Sequence, residues 1–520
     1  MNQEQVRVHR TLKDIFGYDA FRPGQQEVVE ALLAGRDVLA VMPTGAGKSI
    51  CYQLPALLLP GITVVVSPLI SLMQDQVQAL IQMGVRAAYI NSSLTENQCR
   101  KALANACDGM YKIVYVAPER LLTPGFLRFS HSVQISLLCV DEAHCVSQWG
   151  QDFRPSYLQI RQFADQLNQR PPLGAFTATA TQRVKDDIRQ LLALRQPLEL
   201  TTGFDRPNLF FEVQRMEERE KFPCLLAYLN DRPQATGIVY CSTRKKVDEV
   251  YEKLDGQNIP VARYHAGMPP EERQRSQEAF LFDQVRVMVA TNAFGMGIDK
   301  SDVRYVIHYN MPKDMESYYQ EAGRAGRDGA PSSCILLYSG QDVRTNEFLI
   351  THSEPREDLD PRTAEQLRER DLQRLRQMTG YCRTRRCLRQ YILHYFGEHA
   401  PDTCSACYNC LHNFEEVDVS RDAKAIVACI AKTGQHFGVG VIAETLCGAD
   451  TERVRKYHMD REDTYGALGQ LTQKEVQERI RFLLDQGVLE LSPGQYPVLR
   501  LTERAEDVMY GESTLQMKTL

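Results

Sequence analysis

Short β-branched apolar runs recur along the first third of the chain, at VLAVM (38–42), ITVVVS (62–67), IVYVA (113–117), ISLLCVD (135–141) and LGAFTAT (173–179). Polar stretches long enough for helices separate them, and that alternation predicts βαβ units. A second series follows at GIVYCS (237–242), VARYH (261–265), VRVMVAT (285–291), VRYVIHY (303–309) and SCILLY (333–338). The runs are nearly continuous rather than alternating, as strands covered on both faces require, so the expected fold is α/β with two successive parallel sheets. Between them TTGFDRPNLFFEV (201–213) carries turn residues and Pro207 and reads as a hinge. After Thr351, Leu367, Leu372 and Leu375 punctuate a charged helical pattern, a packed connecting helix. From Arg421 to Leu520 the pattern reads helix, helix, helix and β-hairpin. Boundaries are expected at 1–203, 204–342, 343–415 and 416–520.

Composition narrows the class. The 520 residues are 43% hydrophobic and 24% charged, an ordinary globular balance. The longest apolar run, Leu54 to Val66, is broken by Pro55, Pro60 and Gly61, and Met1 to Lys13 has no apolar core, so neither a membrane span nor a secretory signal is expected and the chain should stay inside the cell. A net charge of -5 does not advertise a polyanion binder, so any such site must be local. Of the 15 cysteines, Cys382, Cys387, Cys404, Cys407 and Cys410 lie close together, which in a reducing compartment points to a metal.

The run VLAVMPTGAGKSI ends a strand, turns through Thr44, Gly45 and Gly47 and opens a helix at Lys48 and Ser49, the layout that cradles phosphates. Lys48 would neutralise β/γ oxygens and Ser49 would ligate Mg²⁺. Met42 stands where the strict pattern has a further glycine, and taken alone the loop could be decorative. Asp141-Glu142-Ala143-His144 ends the apolar strand ISLLCV; Asp141 would hold Mg²⁺ and Glu142 would orient and deprotonate water. Together they imply hydrolysis of a nucleoside triphosphate. In the second α/β region YYQEAGRAGRDG carries Gln320, Arg324 and Arg327, and guanidinium groups from there could stabilise charge on the γ-phosphate; an exposed basic helix start is the plainer alternative.

DEAH followed by CVSQWGQDFRP resembles the RecQ-type DNA helicases of superfamily 2, as do FRPGQ (21–25), MPTGAGKS (42–49), SPLISLMQDQ (67–76), TATA (177–180), ATNAFGMGIDK (290–300) and QEAGRAGRDG (320–329). The resemblance implies two RecA-like domains followed by a helical zinc-binding subdomain and a winged-helix domain. It implies that Tyr18, Arg22 and Gln25 read adenine, that Asp299 meets the ribose, and that His144 and Gln320 link the hydrolysis site to the other domain. It places Trp149, Phe153 and Arg154 on single-stranded DNA, in a loop too polar and turn-rich to be core, with His265, Gly267 and Thr291 on the DNA backbone. Gln151 departs from the family's usual histidine, which puts the coupling of that loop in question.

Cys404-x2-Cys407-x2-Cys410 has metal-ligand spacing, and tetrahedral zinc needs four ligands. The family's zinc module favours Cys387 as the fourth; Cys382, His394 and His412 are the other candidates, and an iron–sulfur cluster is the other metal. Arg383, Arg385, Arg386 and Arg389 beside it form a basic patch that meets phosphates or solvent. Residues 421–512 resemble the family's winged helix, which implies duplex DNA binding, with Tyr496 a candidate wedge at the hairpin. Few residues follow Asp507, so the extra C-terminal helical domain of many members is not expected. The function implied is an ATP-dependent 3′ to 5′ DNA helicase of recombination, repair and fork maintenance, using ATP, Mg²⁺ and Zn²⁺, cytoplasmic and nucleoid-associated, working with single-stranded-DNA-binding and repair proteins. An RNA helicase and an ATP-switched DNA-binding protein or duplex translocase are the alternatives.

Overall fold

The computed structural model describes residues 3–150, 152–294, 300–352, 361–412, 415–492, 497–511 and 514–519. Gln151, Asp299 and Tyr496 lie outside the described residues. The chain divides into two compact units, residues 1–382 with 386–408, and residues 383–385 with 409–520.

The first unit contains both parallel sheets. β1 (Val38–Val41), β2 (Ile62–Val66), β3 (Ala87–Ile90), β4 (Ile113–Val116), β5 (Ile135–Val140), β6 (Leu173–Thr177) and β7 (Leu198–Thr201) form a seven-stranded sheet in the order β3-β4-β2-β5-β6-β1-β7. Its described pairings are all parallel. Helices cover the sheet, and Val38, Ala40, Val65, Tyr115, Leu137 and Phe176 meet in one buried cluster. β8 (Leu209–Arg215), β9 (Gly237–Tyr240), β10 (Val261–Tyr264), β11 (Val287–Ala290), β12 (Tyr305–His308) and β13 (Ser332–Tyr338) form the second sheet, ordered β10-β11-β9-β12-β13-β8 and again parallel.

The hinge reading of 201–213 needs correction. Leu209–Arg215 is a strand paired with β13 over its whole length. It is an edge strand, with Leu209 and Phe211 buried and Phe210 and Glu212 only half covered, so it lacks the continuous apolar run of a central strand. β3 and β7, also unexpected, sit at the two edges of the first sheet for the same reason. The connecting helix spans Pro361–Arg383 and buries Leu375, Met378 and Tyr381, with Leu367 and Leu372 half-buried.

In the second unit, helices Ser420–Lys432, Val439–Leu446 and Gln473–Asp485 share a core of Ile426, Ile430, Ile442, Val476, Ile480 and Leu483. Thr472 and Glu475 close a reciprocal capping box at the start of the third helix. β14 (Glu415–Asp418) pairs antiparallel with β17 (Gln516–Thr519), and β15 (Leu489–Leu491) with β16 (Leu499–Leu501), the latter being the expected hairpin. No described helix is long and apolar enough to cross a membrane.

Candidate active site and metal centre

In the first sheet β5, β6 and β1 are neighbours, so the loops leaving their carboxyl ends converge, the place where open parallel sheets bind ligands. The loop after β1 turns through Gly45 (φ 88°) and Gly47 (φ 77°), left-handed conformations that side chains resist. Gly47 caps the helix Lys48–Leu58 without any side-chain hydrogen bond, which leaves the first-turn N–H groups of Lys48 and Ser49 directed at an incoming anion. Lys48 Nζ donates to Met42 O at 3.3 Å, back across the loop. Gln25 is only 2% exposed. Its Nε2 donates to Ala46 O (2.9 Å) and Gly47 O (3.1 Å), while its Oε1 accepts from Arg22 N (2.8 Å), so both functions of this amide are used within the chain to hold the loop. Arg22 donates to Gly45 O, and the Tyr18 ring is 45% exposed beside this segment.

Asp141 ends β5 and is buried. Burial first, then the adjacent Glu142 carboxylate, push its carboxyl up to about 7, against the pull of Lys48. A buried carboxylate facing a lysine and a serine helix start is a hard-oxygen setting suited to Mg²⁺. Glu142 is left-handed (φ 47°), and its N–H donates to Asp141 Oδ1 at 3.0 Å. The buried Glu142 Oε2 makes no hydrogen bond and lies 3.4 Å from His144 Nδ1. His144 Nδ1 is 2.8 Å from Thr177 Oγ1, Thr177 Oγ1 donates to Thr179 O at 3.1 Å, and Gln320 Nε2 donates to Thr179 Oγ1 at 3.3 Å. Burial holds the His144 imidazole below its usual range, which favours the neutral ring. A polar chain thus runs from Glu142 to Gln320, that is, from the first sheet to the helix Met315–Ala322 of the second.

Arg327 packs over the phosphate loop, where a Cβ on Gly45 would meet its Cγ at 3.3 Å. Arg324 is buried beside Tyr240, whose hydroxyl donates to Phe294 O at 2.8 Å. Sequence reasoning missed Arg206. Its Nη1 donates to Thr44 O (3.2 Å) and Gly323 O (3.3 Å), its Nη2 to Ala325 O (3.1 Å) and Gly326 O (2.9 Å). It therefore ties the phosphate loop to the turn bearing Arg324 and Arg327, and nothing in FDRPN signals this, because the four partners that make the tie are backbone carbonyls. Arg206→Ala is expected to lower kcat of ATP hydrolysis about tenfold, the scale of one charged hydrogen bond, with a smaller change in KM. Unaltered steady-state kinetics would contradict that role.

The Trp149 loop is anchored by its backbone. Trp149 N donates to Ser147 Oγ at 3.0 Å, and the half-buried indole lies under Arg183, whose Cζ is 3.2 Å from the ring centroid. Phe153 corrects the reading of this segment as clear of the core: it is 4% exposed, so in this structure its ring is packed and presents no stacking face. Arg154 donates to Asp152 Oδ2 (2.8 Å) and Pro68 O (2.7 Å). In the second sheet His265 Nε2 is 3.1 Å from Asp248 Oδ1, its Nδ1 accepts from Gly267 N at 3.2 Å, and Thr291 is buried at the end of β11.

Cys387, Cys404, Cys407 and Cys410 bring four Sγ atoms within 4.8 Å of one another, while Cys382, His394 and His412 are not in that group. The Cys387 and Cys407 sulfurs are 3.9 Å apart, close to the roughly 3.8 Å edge of a tetrahedron with Zn–S bonds of about 2.3 Å. Cys387 also caps the helix Leu388–Tyr395, its Sγ accepting from Gln390 N, which fixes the direction of that ligand.

Four family models match in succession: DEAD/DEAH box helicase over residues 22–188, helicase conserved C-terminal domain over 220–329, RecQ zinc-binding over 340–411 and RQC domain over 413–520. The third coincides with the four-thiol cluster, so the metal is Zn²⁺. Among solved structures, S. cerevisiae Dbp5 bound to RNA and ADP BeF3 aligns with 70% of this chain and 97% of its own, at TM-score 0.53 and 18% identity, a likeness of fold. Among curated relatives, the ATP-dependent DNA helicase RecQ of Bacillus subtilis is 43% identical over 98% of this chain and 85% of its own, and that of Pasteurella multocida 36% identical over 97% and 78%. Such identity, over nearly the whole chain, means that the chain belongs to the RecQ family of ATP-dependent DNA helicases.

Proposed function

We propose that this ATP-dependent DNA helicase moves 3′ to 5′ along one strand and separates the duplex ahead of it, in recombination, repair and fork maintenance, in the cytoplasm on the nucleoid and alongside single-stranded-DNA-binding and repair proteins. The functional division is 1–203 and 204–342 for the motor, 343–415 for the zinc module and 416–520 for the winged helix. One observation carries the reading: a chain of polar contacts, with Glu142 Oε2 3.4 Å from His144 Nδ1 and hydrogen bonds from His144 through Thr177 and Thr179 to Gln320, spans the two sheets of the motor.

In this reading Thr44, Gly45, Gly47, Lys48 and Ser49 hold the triphosphate, and Tyr18, Arg22 and Gln25 border the base. Mg²⁺, held by Ser49 and Asp141, supplies neutralisation of phosphate charge when bound. Glu142 Oε2, buried and without a hydrogen bond, is placed to accept a proton from water. Arg324 and Arg327 approach the phosphate loop from the second sheet and offset charge as it develops on the γ-phosphate. Trp149, Arg154, His265, Gly267 and Thr291 contact one DNA strand, and residues 416–520 hold duplex.

ATP turnover with single-stranded DNA, with RNA and with neither tests this. DNA is expected to stimulate strongly and RNA weakly. Trp149→Ala is expected to bind ATP normally and to lose about tenfold in DNA stimulation, since a stacked base contributes about 1–3 kcal/mol. Full stimulation of that variant would remove the loop from the DNA path.

A further inference from the structure

The Trp149 loop is held from outside its own sheet. Arg374, on the connecting helix, is 8% exposed at its side chain. Its Nη1 donates to Gly150 O at 3.1 Å, and its Nη2 donates to Trp149 O and lies 3.3 Å from Glu316 Oε1. Arg370, one turn earlier, donates to Gln148 O. Glu316 is itself buried and sits on the helix Met315–Ala322, four residues before Gln320 and hence on the same face. Gln320 in turn reaches Thr179 and, through Thr177, His144. A buried guanidinium shared between two loop carbonyls and one carboxylate is a joint rather than a surface ion pair. Its planar fork suits three acceptors, which a lysine ammonium cannot match.

We propose that Arg374 is the positioning residue that couples DNA at the Trp149 loop to ATP hydrolysis. It ties the loop carbonyls to Glu316, so displacement of the loop by a bound strand moves the helix that presents Gln320, and with it the turn of Arg324 and Arg327, relative to the phosphate loop. The inference rests on the assignment of the Trp149 loop to DNA.

The test measures ATP turnover with and without single-stranded DNA, and DNA affinity, in the full-length zinc-loaded wild type, Trp149→Ala, Arg374→Lys and Glu316→Gln. Glu316→Gln leaves both loop carbonyl bonds in place and weakens the charged tie between Arg374 and the helix, along with the contact of Glu316 to Tyr395, so it decides the matter if Arg374→Lys does not fold. Both variants are expected to keep DNA-free turnover and DNA affinity within about twofold and to lose about tenfold in stimulation, a size ordinary for coupling between sites. Wild-type stimulation in these variants, or an equal fall of basal and stimulated rates, overturns the inference. If Trp149→Ala loses stimulation while they keep it, the inference alone fails; if Trp149→Ala also keeps it, the assignment of the loop to DNA fails with it.

Discussion

Glu142→Gln is expected to slow ATP hydrolysis about 10³-fold at saturating DNA, within the span that loss of a general base produces, while ATP affinity stays near wild type. The amide has nearly the shape of the carboxylate and cannot accept the proton. Asp141 keeps its carboxyl and the phosphate loop keeps its fold, because no hydrogen bond to Glu142 Oε2 is there to be lost. Removing the charge also relieves Asp141 of a neighbour that raises its pKa, so cation binding is expected to hold or strengthen. Turnover assays beside equilibrium nucleotide titration separate the two effects. A loss below tenfold would mean that another group activates the water.

The second large effect is on folding. Cys407 is fully buried at the centre of the thiol cluster, and Cys407→Ser is expected to abolish stoichiometric zinc and melt the module around residues 387–411. Structural zinc contributes about 10–16 kcal/mol of apparent binding energy that is also folding energy, far more than a small module has in reserve. Cys382→Ser is the control. That thiol is buried in the connecting helix outside the cluster, so the variant is expected to keep one zinc per chain. Metal analysis with thermal unfolding checks both, and retained zinc in Cys407→Ser or lost zinc in Cys382→Ser would contradict the ligand set.

What the residues disclosed in advance follows from burial. The central strands of both sheets are covered on two faces and so appear as continuous apolar runs, whereas β3 (AAYI), β7 (LELT) and β8 (LFFEVQR) are edges whose apolar positions are small, alternating or interrupted by charge. The phosphate loop, the Asp141–Glu142 pair and the cysteines were legible because their chemistry demands rare residues at fixed spacing. Arg206 and Arg374 are not, since most of their partners are backbone carbonyls, which carry no sequence signature, and the carboxylate that Arg374 meets, Glu316, lies 58 positions away. The burial of Phe153 is not legible, because polar neighbours within a turn conceal a single ring that packs inward.

The central claim is that hydrolysis is turned into strand separation. ATP-dependent opening of 3′-tailed and 5′-tailed duplexes, with Lys48→Ala as the blank, tests it most directly. The account predicts opening of the 3′-tailed duplex alone and none with Lys48→Ala. DNA-stimulated hydrolysis with neither duplex opened would contradict it and leave an ATP-driven switch or duplex translocase in its place.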